Sequence, residues 1–375
     1  MKIVADENMP GVSALFGHLG EVRLVPGRGL SAAQVADADV LLVRSVTRVD
    51  RRLLEGSRVT FVGSATIGTD HVDLDYLARG GIAFANAPGC NAIGVVNYVI
   101  ATLCRLEPRW REKSLGIIGC GNVGGRLYRV LAGLGVDSLC YDPFLGPGER
   151  DNLRDLDEVL AADILCLHTP LTTSGPFPTR HMINREVLAN LAPGTLLINA
   201  GRGGAVETAA LLDELNAARL RAALDVWEQE PAINPALLAA VDQATPHIAG
   251  YSLEGRLRGT LMVYQALCRW RGIAVGEEDV DLLASRYEDA GDVPGKAAIP
   301  GGGATLNQLV LAAYDPGRDH RDLVAAGRAG GDLGAAFDRL RKGYRKRREF
   351  SHYTVTGVAS ARLRSQLLTL GFHCR

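Results

Sequence analysis

Residues 113–142, KSLGIIGCGNVGGRLYRVLAGLGVDSLCYD, decide the reading of this chain. An apolar run at 114–118, SLGII, is long enough for a buried parallel strand. The GxGxxG Gly119-Cys120-Gly121-Asn122-Val123-Gly124 follows. Val123, Leu127, Val130, Leu131 and Leu134 then recur at helical spacing, and a second apolar run, 138–141, ends in Asp142. Strand, tight turn, helix, strand and acid in that order form a dinucleotide-binding pattern. Gly119 permits the sharp turn, Gly121 lets backbone approach a pyrophosphate with no Cβ in the way, and Gly124 lets helix and strand pack closely. The helix start offers unpaired N–H groups and the positive end of a dipole to the phosphates. Asp142, about 18 residues past Gly124, stands where a carboxylate accepts from the adenosine ribose hydroxyls. An acid there repels a 2′-phosphate, so NAD is expected rather than NADP. The cofactor contacts expected in this stretch are Gly119, Gly121, Asn122, Val123, Gly124 and Asp142.

The rest of the chain suits a multidomain α/β protein. Its 375 residues predict two or three domains, and 47% hydrophobic with 22% charged residues is enough to fill their cores. A net charge of −1 gives no reason to expect nucleic acid or an anionic membrane as partner. The start, MKIVADENMP, lacks the apolar segment of a signal peptide, and no run approaches the roughly 20 apolar residues of a membrane span. The seven cysteines are scattered without a CxxC and read as reduced and mostly buried. A cytoplasmic protein with no metal site is expected.

Before the fingerprint, apolar runs at 2–5, 40–43, 59–63 and 82–84 read as parallel strands. Polar residues follow the first three: Asp6, Arg44 with Ser45, and the segment from Ser64 to His71. Ligands of such sheets lie beyond the carboxyl ends of the strands, so residues 1–107 form a candidate substrate domain. The helix expected at 91–106 is the first crossover, and residues 108–251 form the nucleotide domain, with further strands at 162–167, 195–199 and 222–226. A helix at 252–270 reads as the return crossover, so 252–275 rejoin the first domain. Residues 276–303, acidic and then Gly/Pro-rich, read as a linker. Residues 304–375 read as two helices, a strand at 350–358, a helix and a strand at 371–374. That region is too small to bury a large core alone and shows no catalytic constellation, so docking or dimerisation is its expected task. Its basic run 341–348, RKGYRKRR, reads as a solvated helix face.

Three ionisable residues stand out by position. Arg202 follows a strand and lies between glycines, Glu230 precedes Pro231, and His247 follows Pro246. Histidine suits a general base near neutral pH, a neighbouring carboxylate stabilises its imidazolium, and arginine grips a carboxylate as a planar fork. Such a set could oxidise a 2-hydroxy acid. Taken singly each has an ordinary reading. Glu228 rivals Glu230, His168 and His71 rival His247, and residue pattern alone does not choose among them.

The stretches GIIGCGNVGGRL, CLHTPLT, LLINAGRGGAVE, AALDVWEQEP and TPHIAGYS resemble the D-isomer-specific 2-hydroxyacid dehydrogenase family. The resemblance implies catalytic roles for Arg202, Glu230 and His247, and cofactor contacts at Thr169, Ala200, Gly201, Arg202, Asp225 and Gly250. Gly201 departs from the family, which usually has Ser there. The implied fold is α/β, with a Rossmann-type NAD-binding domain, a flavodoxin-like substrate domain and a small α/β C-terminal dimerisation domain. The active site would lie in the cleft between the first two. Further stretches, ADENMP, LLVRSVT, FVGSATIGTDHVDLDY and HIAGYSLEGRLRGT, are similar to a branch of the family acting on a phosphorylated four-carbon acid in pyridoxal 5′-phosphate biosynthesis. That implies a homodimer oxidising 4-phospho-D-erythronate at C2, with Ser45, Thr66 and Tyr251 touching substrate. Arg44 is the candidate for its phosphate, and Arg256 and Arg258 are rivals. Two alternatives stand beside this reading: another dehydrogenase of the family, such as one acting on 3-phosphoglycerate, and a non-enzymatic NAD-sensing interaction protein.

Overall fold

A computed structural model describes residues 1–146, 148–149, 151–275 and 297–375. It divides into two compact units, Met1–Asn91 with Ser252–Gly295 and Ala92–Tyr251 with Lys296–Arg375.

The first unit is built on β1 (Lys2–Asp6), β2 (Glu21–Val25), β3 (Val40–Val43), β4 (Phe61–Ser64) and β5 (Ala83–Ala85). They form one parallel sheet in the order β2-β1-β3-β4-β5, the flavodoxin-like arrangement. The sequence reading lacks β2. It is an edge strand that exposes Glu21, Arg23 and Leu24, so it carries no continuous apolar run. β3 is buried along its whole length, which is why VLLV is plain in the sequence. The Leu253–Arg271 helix returns to this sheet, placing Leu257, Leu261, Val263 and Leu267 in one core with Ile3, Leu42 and Phe61.

The second unit holds β6 (Leu115–Ile118), β7 (Ser138–Tyr141), β8 (Ile164–Leu167), β9 (Leu196–Asn199), β10 (Arg221–Leu224) and β11 (Gln243–Ala244). They too are parallel, in the order β11-β10-β9-β8-β6-β7. The Ala92–Leu106 helix, placed in the first domain by the sequence reading, belongs here. It is buried almost all round, as a helix without a polar face must be, and Val99 and Leu103 share a core with Trp110, Leu115 and Leu127.

The C-terminal region adds a three-stranded parallel sheet of β12 (Ala298–Pro300), β13 (Thr354–Thr356) and β14 (His373–Cys374). Three helices rather than two precede β13: Leu306–Ala313, Pro316–Arg328 and Leu333–Lys342. A fourth, Ala361–Thr369, follows it. Most of the expected linker, 276–296, lies outside the described residues, and β12 occupies part of the remainder. Leu306, Leu309, Val310, Phe350, Val355, Leu367 and Phe372 bury themselves in the same core as Val99 and Trp110. Leu323 and Phe337 join the core that holds Leu237 and Leu238. A region too small for its own core borrows one.

The basic run at 341–348 is not a solvated helix face. The helix ends at Lys342, and Arg347 and Arg348 are buried. The Arg347 guanidinium lies 4.4 Å from the Tyr314 ring centroid and donates to the carbonyl oxygens of Gly94, at 3.2 Å, and Ala249. Arg345 pairs with buried Asp319, which also accepts from the hydroxyls of Tyr314 and Tyr344 at 2.9 and 3.0 Å. Buried charges persist where they are paired or hydrogen-bonded, as Arg345 is with Asp319 and Arg347 is with two carbonyl oxygens. Among the described residues no helix is long and apolar enough to cross a membrane. Six of the seven cysteines are buried and Cys374 is partly so.

Candidate active site

In the second unit the strand order reverses between β6 and β8, and the loops after those two strands diverge there. The GxGxxG turn occupies this point. Gly119 has φ +88°, a Cβ at Gly124 would stand 2.0 Å from the Gly119 carbonyl oxygen, and a Cβ at Gly121 would meet nothing within 4 Å. The first and third glycines are thus demanded by the fold, whereas the second keeps a stretch of backbone uncovered. The Gly124–Gly133 helix starts at this turn, with Asn122 and Val123 leading into it. Asp142, just past β7, accepts from the Cys120 N–H at 2.9 Å, which ties the acid to the turn. Across the switch point, a Cβ at Gly119 would touch the Thr169 nitrogen at 2.9 Å. Thr169 Oγ1 and both ring nitrogens of His168 are buried with no hydrogen-bond partner among the described residues. Burial pushes the His168 imidazole down to about 4, so it is neutral at physiological pH. Orphaned buried polar atoms beside an open glycine turn are what a bound polar group would satisfy, and these residues fit a dinucleotide.

The loop after β9 carries Ala200, Gly201 and Arg202. A Cβ at Gly201 would stand 3.1 Å from the carbonyl oxygens of both Leu167 and Thr169, which leaves little room for the usual serine. A Cβ at Gly203 would collide with the Trp227 carbonyl carbon at 2.0 Å. The Arg202 turn is therefore packed against the loop that follows β10 and bears Glu230. Arg202 is half-buried, and its Nη1 donates to the Gly201 carbonyl at 3.0 Å.

Glu230 and His247 meet. Glu230 Oε2 lies 2.7 Å from His247 Nδ1, and Oε1 accepts from the Trp227 N–H at 2.9 Å. Burial opposes the charge of this carboxyl. The His247 charge and hydrogen bond, the Arg341 charge and the Trp227 N–H together outweigh burial and hold it below its ordinary range. With Nδ1–H directed at a carboxylate, Nε2 is left as the proton-accepting atom. His247 sits at φ 56°, a left-handed backbone uncommon outside glycine, of the kind that concentrates at functional sites. The rivals fall elsewhere. Glu228 pairs with His181 at 2.6 Å and accepts from the Thr208 N–H, and His71 bonds Ser64 at 2.9 Å in the first unit.

Asp225 anchors the His247 loop. Its carboxylate accepts from the Thr245 hydroxyl and the Ile248 N–H, both at 2.7 Å, and from the Ala249 N–H at 2.9 Å. Its carbonyl takes the His247 N–H at 2.7 Å. Burial raises its carboxyl pKa against these bonds. Behind it a buried polar chain runs from Gln243 through Tyr98, at 3.2 Å, to Thr245, at 2.9 Å. Sequence offered no sign of this support, because Tyr98 and Thr245 lie 147 residues apart.

In the first unit Arg44, directly after β3, forms a bidentate ion pair with buried Asp6 at 3.1 and 3.3 Å. Ser45 is exposed beside it. Thr66 follows β4 and bonds the Ser64 hydroxyl at 2.8 Å. Arg258 donates to the Cys90 carbonyl at 2.5 Å, and Arg256 is half-buried on the same helix. In the second unit, Tyr251, next to Gly250, accepts from Arg341 at 3.0 Å.

Residues 102–249 match the model of the D-isomer specific 2-hydroxyacid dehydrogenase NAD binding domain, and 298–371 match a Domain of unknown function (DUF3410). The chain is 49% identical to an erythronate-4-phosphate dehydrogenase of Teredinibacter turnerae, over 99% of this chain and 98% of that one. It is 48% identical to one of Cellvibrio japonicus over the full length of both. Among solved structures it resembles an NAD+-bound 3-phosphoglycerate dehydrogenase of Entamoeba histolytica, with TM-score 0.63, 24% identity, and 72% of this chain and 95% of that one covered. An NAD- and lactate-bound D-lactate dehydrogenase of Aquifex aeolicus matches at TM-score 0.60 and 23% identity, over 72% of this chain and 96% of that one. With an NAD-binding domain of that family and full-length relatives near half identity, the chain belongs to the erythronate-4-phosphate dehydrogenases, within the D-isomer specific 2-hydroxyacid dehydrogenase family.

Proposed function

We propose that this NAD-dependent dehydrogenase oxidises 4-phospho-D-erythronate at C2 to 2-oxo-3-hydroxy-4-phosphobutanoate, a step of pyridoxal 5′-phosphate biosynthesis. The observation that carries the reading is the Glu230–His247 pair at 2.7 Å, in a chain 49% identical to an erythronate-4-phosphate dehydrogenase. NAD, when bound, supplies the hydride acceptor. His247 Nε2 takes the C2 hydroxyl proton as C2 gives up its hydride, and the C–O bond becomes a carbonyl. Glu230 fixes the imidazole tautomer and offsets the charge that appears on it. Arg202 takes the substrate carboxylate and polarises the C2 oxygen. Gly119, Gly121, Asn122, Val123 and Gly124 hold the pyrophosphate, and Asp142 the adenosine ribose. Thr169, Ala200, Gly201, Asp225 and Gly250 line the remaining cofactor path.

Ser45, Thr66 and Tyr251 are the proposed substrate contacts, with Arg44 for the phosphate. The Asp6 pair uses part of the Arg44 fork and orients the rest. Region 304–375 is proposed to pair two copies of the chain, and the buried cysteines support a reducing, cytoplasmic setting.

The test is turnover of 4-phospho-D-erythronate by the purified protein with NAD, followed as NADH. Turnover that is lost in His247→Ala with NAD binding retained is the expected result. No turnover by the wild-type chain overturns the reading.

A further inference from the structure

The C-terminal region matches a family model with no assigned function, and the sequence shows no chemistry in it. The structure places one of its side chains on the catalytic loop. Arg341, in the last turn of the Leu333–Lys342 helix, donates through Nη2 to the Tyr251 hydroxyl at 3.0 Å. Its guanidinium also covers the Tyr251 ring at 5.5 Å and the Phe337 ring at 6.0 Å. Tyr251 lies four residues past His247, and its N–H closes a turn on the Ile248 carbonyl at 2.8 Å. Within that turn Arg347 holds the Ala249 carbonyl while Asp225 holds the Ala249 N–H. The His247–Tyr251 loop is thus gripped by Asp225 on one side and by two C-terminal arginines on the other.

We propose that Arg341 is a positioning residue of the active site, which turns Tyr251 into a hydrogen-bond donor for substrate and sets a fixed positive charge beside the Glu230–His247 pair. The donor role follows from proton counting. Tyr251 Oη accepts an N–H from a cation, so its own proton is directed away from Arg341 and is polarised for an anionic oxygen. The charge role follows from the neighbourhood. The charges of His247 and Arg341 act on Glu230, Tyr251, Glu230 and Asp225 act on Arg341, and Glu228 is occupied by His181. Burial opposes the Arg341 charge, and Tyr251, Glu230 and Asp225 outweigh it, so Arg341 stays protonated. That fixed charge favours ionised Glu230. Removing it weakens that preference in the carboxylate paired to His247, so the acidic limb of kcat/KM for oxidation moves to higher pH.

The inference rests on the acid/base reading of Glu230 and His247, and the experiment separates the two. Steady-state oxidation of 4-phospho-D-erythronate is measured against pH for the full-length wild type, His247→Ala, Arg341→Met, Arg341→Lys and Tyr251→Phe, with circular dichroism as the fold control. Arg341→Met is expected to raise KM roughly tenfold, the scale of one charge-assisted hydrogen bond, and to move the acidic limb upward. Arg341→Lys keeps the charge and returns the limb to its wild-type position. Tyr251→Phe raises KM and leaves the limb in place. A folded Arg341→Met with wild-type KM and limb overturns the proposal alone. Should Arg341→Met not fold, a limb displaced in Arg341→Lys, or an unchanged KM in Tyr251→Phe, overturns it equally. No turnover by the wild type, or full turnover by His247→Ala, overturns the acid/base reading and this proposal with it.

Discussion

Glu230→Gln tests the mechanism with a change of one atom. Glu230 accepts two hydrogen bonds, the Trp227 N–H on Oε1 and His247 Nδ1 on Oε2. Glutamine has one acceptor oxygen, and its amide nitrogen carries two donors. If the oxygen stays with His247, the buried Trp227 N–H faces an N–H group, at a cost of about 1–3 kcal/mol. If the oxygen turns to Trp227, the amide donates to Nδ1, and the imidazole must carry its proton on Nε2. That is the atom required to accept the substrate proton. Either arrangement also loses the anion that offsets the developing imidazolium. Two unit charges about 4 Å apart interact by about 4 kcal/mol at an effective dielectric constant of 20, which sets an upper bound. The lost anion, worth up to about 4 kcal/mol, places the fall in kcat at about 10²–10³-fold, since about 1.4 kcal/mol is tenfold. The substrate carboxylate is held elsewhere, so KM changes little. The assay is NADH formation under saturating substrate, with NAD affinity measured by calorimetry as the control. A variant that binds NAD normally and keeps kcat within about tenfold of the wild type would refute the tautomer argument.

The same carboxyl predicts a pH dependence of stability. It is held below its ordinary value of 4.5, so its contribution is complete above that value and disappears as pH falls through the folded-state value. Acid unfolding curves should show this loss in the wild type and not in Glu230→Gln. At the turn, Gly121→Ala should keep the wild-type melting temperature and bind NAD more weakly, whereas Gly124→Ala should be destabilised, because its Cβ meets a carbonyl oxygen at 2.0 Å. Calorimetry and thermal melts separate the two. Asp142→Ala should narrow the preference for NAD over NADP, read as the ratio of kcat/KM values for the two cofactors. Arg44→Ala should raise KM for the phosphorylated acid. It also strands the buried Asp6 carboxylate, so a fall of about 3 kcal/mol or more in unfolding free energy should accompany it.

The sequence by itself determined those features that repeat at short range. The strand, GxGxxG, helix and acid of 114–142 lie within one supersecondary unit, and each residue type answers a local steric or hydrogen-bonding demand. Fully buried strands such as VLLV and LLIN announced themselves because parallel strands need apolar residues on both faces. β2 escaped notice because an edge strand does not. Only the tertiary structure decided which carboxylate serves which histidine. Glu228 and Glu230 are two residues apart on one loop, and their partners His181 and His247 come from different segments. It also decided the fate of the basic run at 341–348. By local pattern those arginines belong in water, yet Tyr251, Tyr314, Asp319 and the Ala249 carbonyl give them partners inside the fold. The reason is the range of the interaction. Backbone preference and periodicity act over a few residues and are legible along the chain. The pairing of a buried charge depends on what the packed core brings beside it, here from as far as 253 residues away.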